Sequence, residues 1–151
     1  MPIAKQIMTR DPYTVTQETA VRDLAEKLTK NNYSGAPVLD EGGALIGVVT
    51  VSDLIFQRKK LHLPTVFTLF DSVITLGSQY EVDDQIKKML GSTVSEIMTR
   101  EVITVDEDAQ LEDIATIMSE QGRHFIPVVK DGQLVGVIDR SDIMKAIVKG
   151  A

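Results

Sequence analysis

The chain contains no cysteine and no tryptophan, and only two of its 151 residues are histidines, His62 and His124. Without cysteine the protein can form no disulfide, no thiolate metal site and no cysteine nucleophile. Two histidines are also too few for a histidine-rich metal centre. We therefore expect neither a bound metal nor a required cofactor.

The chain also lacks an excess of basic residues. It has 16 lysines and arginines against 22 aspartates and glutamates, which gives a formal net charge of −6. Binding to a nucleic-acid backbone requires a basic face, and attachment to anionic lipid requires a polybasic segment. The composition therefore predicts no nucleic-acid partner and no membrane partner.

Long hydrophobic runs are absent as well. Residues 1–10 show no apolar run followed by a cleavage site, so we predict no signal peptide. The most apolar stretch, Pro64–Gly77, is too short to span a bilayer and contains Asp71. We expect a cytoplasmic protein that is large enough to bury a sizeable core.

An internal repeat organises the chain. Ile7-Met8-Thr9-Arg10 recurs ninety residues later as Ile97-Met98-Thr99-Arg100. After a one-residue loss in a turn, the second copy continues in the same order. The later matches are Gly47-Val48 with Gly136-Val137 and Ser52-Asp53 with Ser141-Asp142. We place one repeat at about residues 1–58, a connecting segment at about 59–90 and the second repeat at about 91–151.

Each repeat predicts an amphipathic helix after a short extended stretch. Apolar residues recur at the spacing of one helix face, and Asn31-Asn32 and Gly122 follow as stop signals. The apolar positions are Val21, Leu24, Ala25 and Leu28 in the first copy and Leu111, Ile114, Ala115 and Met118 in the second. The segment Thr93–Glu96, which opens the second copy, has a capping-box pattern.

Two strands and a second helix complete each repeat. The predicted strands are Ala36–Leu39 and Leu45–Val49 in the first copy, and Ile126–Val129 and Leu134–Ile138 in the second. The unit is therefore β-α-β-β-α, and one copy alone cannot bury both faces of so small a sheet. We predict an α/β (α+β) fold in which two copies pack sheet to sheet around a pseudo-two-fold axis.

The connecting segment allows two interpretations. Asp83–Leu90 predicts a short amphipathic helix, whereas Pro64–Leu76 is apolar without a clear period. The segment covers the seam between the repeats, which we favour, or it forms a dimer or partner surface.

The strand–turn–strand–helix portion of each repeat resembles a cystathionine-β-synthase (CBS) domain. The resemblance rests on Leu45–Leu54 after Ala36-Pro37-Val38, and on Leu134–Ile143 after Ile126-Pro127-Val128. Two copies in tandem resemble a CBS pair, or Bateman module, here a free-standing one. The resemblance implies a regulatory sensor that binds adenosine-containing ligands such as AMP, ADP, ATP or S-adenosylmethionine in two clefts between the repeats. It also implies a homodimer that regulates another, unknown protein.

A main cleft is expected around Thr50, Ser52 and Asp53. Helix capping by Thr50 and Asp53 explains these residues without a ligand, but a hydroxyl also suits a phosphate and a carboxylate suits a ribose diol. The resemblance assigns phosphate and ribose contacts to these residues. It completes the cleft with residues of the second repeat, namely Val102, Ile103, Arg123 and His124.

A second, weaker cleft is expected around Asp142. Here Asp139 stands at the position of Thr50, and its carboxylate would repel a phosphate. This cleft therefore takes an adenosine without phosphate, a phosphate bridged by a metal ion, or no ligand. The remaining residues expected in it are Asp11, Tyr13, Ser34, Gly35 and Ser141.

No catalytic constellation is evident. The sequence has no glycine-rich phosphate loop and no nucleophile elbow, so we predict that the chain is not an enzyme. For Ile7-Met8-Thr9 and Ile97-Met98-Thr99 we favour packing of a short helix over ligand contact. A structural or protein-interaction module without a ligand is the alternative function.

Overall fold

The computed structural model describes residues 2–54 and 90–150. The segment 55–89, which includes the apolar stretch Pro64–Leu76 and the start of the predicted helix at Asp83, lies outside the described residues. Both interpretations of that segment therefore stay predictions.

The described part of the first repeat, residues 2–54, contains two helices and three strands, followed by helical residues 51–54. Their bounds are α1 Ala4–Ile7, β1 Thr9–Arg10, α2 Val21–Asn31, β2 Gly35–Leu39 and β3 Leu45–Thr50. Val15 adds a single parallel bridge to Val38 of β2. The predicted strand–helix–strand–strand–helix order is confirmed.

The second repeat follows the same plan. Its bounds are α3 Val94–Ile97, β4 Val105–Asp106, α4 Leu111–Gln121, β5 Phe125–Lys130, β6 Gln133–Asp139 and α5 Arg140–Val148. Helix α2 is capped by the following residue, Asn32, and helix α4 by Gly122, both in the left-handed conformation. Both predicted stop signals are therefore confirmed, because asparagine and glycine tolerate that conformation best.

The opening segments of the two repeats are exchanged. Strand β1 pairs with β6 of the second repeat, with Thr9 opposite Val137, whereas Thr99 bridges to Val48 in β3 of the first repeat. Each opening segment thus extends the sheet of the other repeat. Glycine makes this approach possible, since a Cβ atom on Gly136 would lie only 2.9 Å from the Thr9 carbonyl oxygen.

The exchange extends to the hydrophobic cores. Ala4 of α1 is fully buried in the core of the second repeat, whereas Val94 and Ile97 of α3 are buried in the core of the first. A third cluster, formed by Val48, Phe125 and Val137, joins the two β-hairpins. The interpretation that the opening elements are packing elements is therefore confirmed for the helices, but each packs on the opposite repeat.

Two local predictions were wrong. Ala115 is exposed, and the partly buried Ile117 packs against the core in its place, because the buried face of α4 is rotated slightly from the predicted one. Thr93 precedes α3, but its hydroxyl contacts the Ser95 hydroxyl at 2.8 Å and caps no backbone N–H. A helix of four residues gives the predicted capping box little to stabilise.

Within residues 2–54 and 90–150, no helix has the length and apolar character needed to cross a membrane.

Candidate ligand-binding clefts

A cavity of about 340 Å³ lies between the two repeats, beside the start of α5. This volume falls at the lower end of the range for small-molecule pockets, roughly 300–1,000 Å³. The second repeat lines it with Phe125, Val137, Asp139, Ser141, Asp142 and Lys145, and the first with Thr9, Pro12, Tyr13, Asn31, Asn32, Tyr33, Ser34 and Gly35. The cavity therefore combines apolar side chains, two phenol rings and two carboxylates.

Asp139 caps helix α5. Its Oδ1 accepts hydrogen bonds from the Ser141 N–H at 2.9 Å, the Asp142 N–H at 3.3 Å and the Ser141 hydroxyl at 2.5 Å. Its Oδ2 accepts a 3.3 Å bond from the Ser34 hydroxyl of the first repeat. The carboxylate is thus fixed at the helix end and reaches across the cleft.

Asp142 is the one buried charged side chain of the described residues. It accepts hydrogen bonds from the Thr9 hydroxyl, at 3.1 Å to Oδ1 and 3.4 Å to Oδ2, and from the Asp139 N–H at 3.0 Å. Burial raises the pKa of the Asp142 carboxyl, and the charge of Asp139 raises it further. The hydrogen bonds from the Asp139 N–H and the Thr9 hydroxyl, and the charge of Lys145, act in the opposite direction.

Tyr13 and Tyr33 stack on each other at the cleft. Their ring centroids are 6.3 Å apart and their planes differ by 13°, and the Lys27 ammonium lies 5.5 Å from the Tyr13 centroid. Burial, helped by the charge of Asp23, raises the pKa of the Tyr13 hydroxyl. Tyr13 is therefore already engaged by protein groups, and Tyr33, which is 38% exposed, is the more accessible ring.

The structure brings most of the residues predicted for this cleft together. Tyr13, Ser34, Gly35, Asp139, Ser141 and Asp142 all line the cavity. Asp11 does not; it is exposed, with a left-handed backbone (φ 50°), in the turn that follows β1. Sequence reasoning missed Thr9 as a cleft residue, although its recurrence as Thr99 was a usable signal.

The cleft predicted as the main one is centred on Asp53. Asp53 Oδ2 accepts a hydrogen bond from the Thr50 N–H at 2.8 Å, and Asp53 Oδ1 accepts one from the Thr99 hydroxyl of the second repeat at 2.8 Å. The Thr50 hydroxyl in turn accepts from the Asp53 N–H at 3.3 Å. The predicted capping relationship between Thr50 and Asp53 is therefore present, and Thr99 joins it from across the interface.

The other residues predicted for this cleft are more dispersed. Val102 packs against the cluster that joins the hairpins, Ile103 is half-buried and Ser52 is exposed. Arg123 is half-buried and His124 exposed in the turn before β5. Among the described hydrogen bonds and ion pairs, none joins Arg123 or His124 to Thr50 or Asp53, so their grouping stays a prediction.

Comparison with known proteins identifies the repeat. The family model for the CBS domain matches the chain twice, at residues 4–60 and 94–149. The chain belongs to the CBS domain family. Each match contains one β-hairpin and one of the two aspartates, Asp53 and Asp142.

Relatives of this CBS domain pair include proteins of similar and of greater length. It is 30% identical to an uncharacterised protein of Methanocaldococcus jannaschii, over 97% of this chain and 91% of that protein. It is 32% identical to the chloroplastic CBS domain-containing protein CBSX1 of Arabidopsis thaliana, over 90% of this chain but only 59% of the relative.

Two similar solved structures contain ligands. One is CBSX2 in complex with AMP, with a TM-score of 0.71, 26% identity and coverage of 99% of this chain and 98% of that one. The other is the CBS domain pair of protein MJ0100 in complex with 5′-methylthioadenosine and S-adenosylmethionine. It has a TM-score of 0.72 and 25% identity, and covers 100% of this chain and 99% of that one.

Proposed function

We propose that this CBS domain pair is a regulatory module that binds an adenosine-containing small molecule in the clefts between its repeats, and that it is not an enzyme by itself. The observation that carries the proposal is the cavity beside α5, which both repeats line. Similar CBS pairs bind AMP, S-adenosylmethionine and 5′-methylthioadenosine, which share the adenosine group.

The chemistry of the cavity suits an adenosine group. Phe125 and Val137 offer apolar surface, and the exposed Tyr33 ring offers a surface for stacking. Asp142 Oδ1 accepts one hydrogen bond from Thr9 and so keeps a lone pair for a ribose hydroxyl. The second repeat thus supplies the apolar surface and the ribose acceptor, and the first repeat supplies the stacking ring.

We also propose that the main cleft predicted around Asp53 binds such a ligand through the residues that the sequence predicts. Thr50 and Ser52 would contact a phosphate and Asp53 the ribose, while Val102 and Ile103 border the base and Arg123 and His124 face the phosphate. The support is the network from Thr50 through Asp53 to Thr99, because it reproduces the arrangement around Asp142.

Such a ligand would act by bridging the repeats. A ligand shifts a protein between two arrangements only if it binds one of them more tightly. A ligand held by both repeats binds more tightly to the arrangement in which both repeats contact it.

Helix α5 exposes Met144, Ile147 and Val148, which are 58%, 56% and 81% exposed. We propose that this apolar surface supports a homodimer in the cytoplasm through which a separate protein is regulated.

The first experiment is thermal unfolding of the purified, nucleotide-free protein with AMP, ADP, ATP, S-adenosylmethionine, 5′-methylthioadenosine and adenosine, with GTP as a control. A ligand at 100 times its Kd stabilises the folded state by about 2.7 kcal/mol. For a chain of this size the melting temperature should then rise by roughly 5–10 °C. A rise with adenosyl ligands but not with GTP supports the proposal.

Two variants separate binding from the alternative of a ligand-free interaction module. Asp53→Ala and Asp142→Ala together should abolish the shift, whereas Glu120→Ala, on the exposed face of α4, should preserve it. No shift with any ligand in the wild-type protein would favour the ligand-free module.

A further inference from the structure

The two clefts differ by one charge at equivalent positions. In the first repeat Thr50 precedes the helical residues, and its N–H donates to Asp53 at 2.8 Å. In the second repeat Asp139 precedes α5, and its N–H donates to Asp142 at 3.0 Å. The backbone arrangement is thus the same, but a neutral hydroxyl in one cleft is replaced by a carboxylate in the other.

We infer that Asp139 makes the cleft beside α5 selective for adenosyl ligands without a phosphate, either neutral nucleosides or nucleosides with a cationic substituent. This inference rests on the proposed function and names the class of ligand that one of its two sites accepts. It distinguishes a nucleoside cleft around Asp142 from a nucleotide cleft around Asp53.

The first argument concerns the donors that a phosphate would need. Phosphates bind at the start of a helix through the free N–H groups of its first turn. In α5 the Ser141 and Asp142 N–H groups already donate to Asp139 Oδ1. A phosphate in this cleft would displace a carboxylate from its own helix or lie against it.

The second argument concerns the charge of the cavity wall. The charged side chains that line the cavity are two carboxylates, Asp139 and Asp142, and one ammonium, Lys145. With both carboxylates ionised the wall carries a net negative charge, and a partly buried site screens this charge poorly. A phosphate is repelled by such a wall, whereas a sulfonium or ammonium group is attracted to it.

The third argument concerns a metal bridge, which would otherwise reconcile the carboxylates with a phosphate. Asp139 Oδ1 accepts three hydrogen bonds, and Oδ2 accepts one from Ser34. Three donors therefore occupy Oδ1, whereas Oδ2 keeps one lone pair beside its bond from Ser34. A cation held by both carboxylate oxygens would have to displace the cap of α5, so a bidentate metal bridge competes with the helix cap.

The experiment isolates this cleft by using an Asp53→Ala background, in which the other cleft is disabled. Isothermal titration calorimetry measures the Kd values of AMP, adenosine, 5′-methylthioadenosine and S-adenosylmethionine. We expect the ligands without phosphate to bind at least about tenfold more tightly than AMP, because each lacks the repelled charge.

Neutralising Asp139 should remove the preference. Asp139→Asn keeps a good helix cap but removes the charge. In the Asp53→Ala background it should tighten AMP binding at least about tenfold and change adenosine binding less than threefold. Asp113→Asn, an equal charge change on the exposed face of α4, is the matched control and should leave all the Kd values unchanged.

The outcomes separate the inference from the proposed function. AMP that binds the Asp53→Ala variant as tightly as adenosine overturns the selectivity and leaves the sensor function standing. Absence of binding by all four ligands to the wild-type protein overturns both. If circular dichroism shows that Asp53→Ala unfolds the protein, Asp53→Asn replaces it, and Asp139→Thr provides a second neutral variant at the selective position.

Discussion

The Thr99 hydroxyl donates a 2.8 Å hydrogen bond to Asp53 Oδ1, although 46 residues and the boundary between the repeats separate them. Its counterpart joins Thr9 to Asp142 Oδ1 at 3.1 Å across 133 residues. Each aspartate proposed to bind ribose is therefore held by a threonine from the opening segment of the other repeat. The contacts that hold the exchanged opening segments therefore also orient the two aspartates.

Thr99→Val should lower the free energy of unfolding by roughly 1.5–3 kcal/mol, because it keeps the shape of the side chain but removes one hydrogen bond to a carboxylate. Urea unfolding measures the change. If Thr99 also orients Asp53, the variant should weaken the ligand of the Asp53 cleft and leave the Asp142 cleft unaffected. Thr9→Val is the matched control and should show the opposite pattern. Equal effects of either variant on both clefts would contradict the pairing.

Gly47→Ala and Gly136→Ala should each destabilise the fold by roughly 1–3 kcal/mol, because the new methyl group forces the opening segment away from the sheet. At Gly47 the Cβ would lie 2.7 Å from the Thr99 carbonyl oxygen and would also overlap the Met98 side chain. Gly42→Ala is the control, since its Cβ would make only an ordinary 3.5 Å contact with the Asp40 side chain. Chemical denaturation should separate the variants from the control, and equal stability of all three would refute the close-approach argument.

Asp142 should make the folded state less stable as the pH rises. Its pKa in the folded protein lies above the ordinary value of 3.8, so between these two values the folded chain binds more protons than the unfolded chain. The free energy of unfolding then falls with rising pH through this window and levels off above the raised pKa. Asp142→Asn cannot ionise and should lack this component.

The measurement is urea unfolding of the wild-type protein and Asp142→Asn from about pH 4 to 7. The stability of the wild-type protein relative to the variant should decline as the pH increases. Asp113→Asn, at an exposed position on α4, controls for the loss of a carboxylate alone. Parallel pH profiles for the wild-type protein and Asp142→Asn would argue against the raised pKa.

Gly122→Ala should destabilise the protein by about 1 kcal/mol, because Gly122 ends α4 with φ at 64°, where a Cβ is unfavourable. Apart from its chain neighbours, no described residue lies within 4 Å of that Cβ position, so the expected cost comes from the backbone alone. Gly122→Asn, which copies the Asn32 cap of α2, should be closer to neutral. Thermal unfolding measures both, and an equal loss from alanine and asparagine would contradict the backbone explanation.

Local signals in the sequence predicted much of the fold. Helical spacing around Leu24 and Ile114 gave α2 and α4, and the turn glycines separated the hairpin strands, because these features depend on nearby residues. The helix ends at Asn32 and Gly122 followed from backbone preferences alone. The duplicated pattern then predicted the pairing of two equivalent halves, which the structure confirms.

The exchange of opening segments could not be predicted in the same way. Ile7 and Ile97 are equally apolar and would suit the core of either repeat. No local pattern therefore shows which core each isoleucine joins. Thr9 was interpreted as part of a packing element for the same reason. Only the fold shows that its hydroxyl reaches Asp142, 133 residues away. The predicted burial of Ala115 was wrong because helical spacing does not fix the rotation of a helix to within one residue.

The exchanged opening segments also set an order of events during synthesis. Thr9 leaves the ribosome 133 residues before Asp142, the partner of its side chain, and β1 finds its pairing strand only after most of the chain has been made. Until then an unpaired strand edge and the apolar side of α1 face solvent. Pairing of β1 is therefore a late, long-range step that cannot begin before β6 has been synthesised.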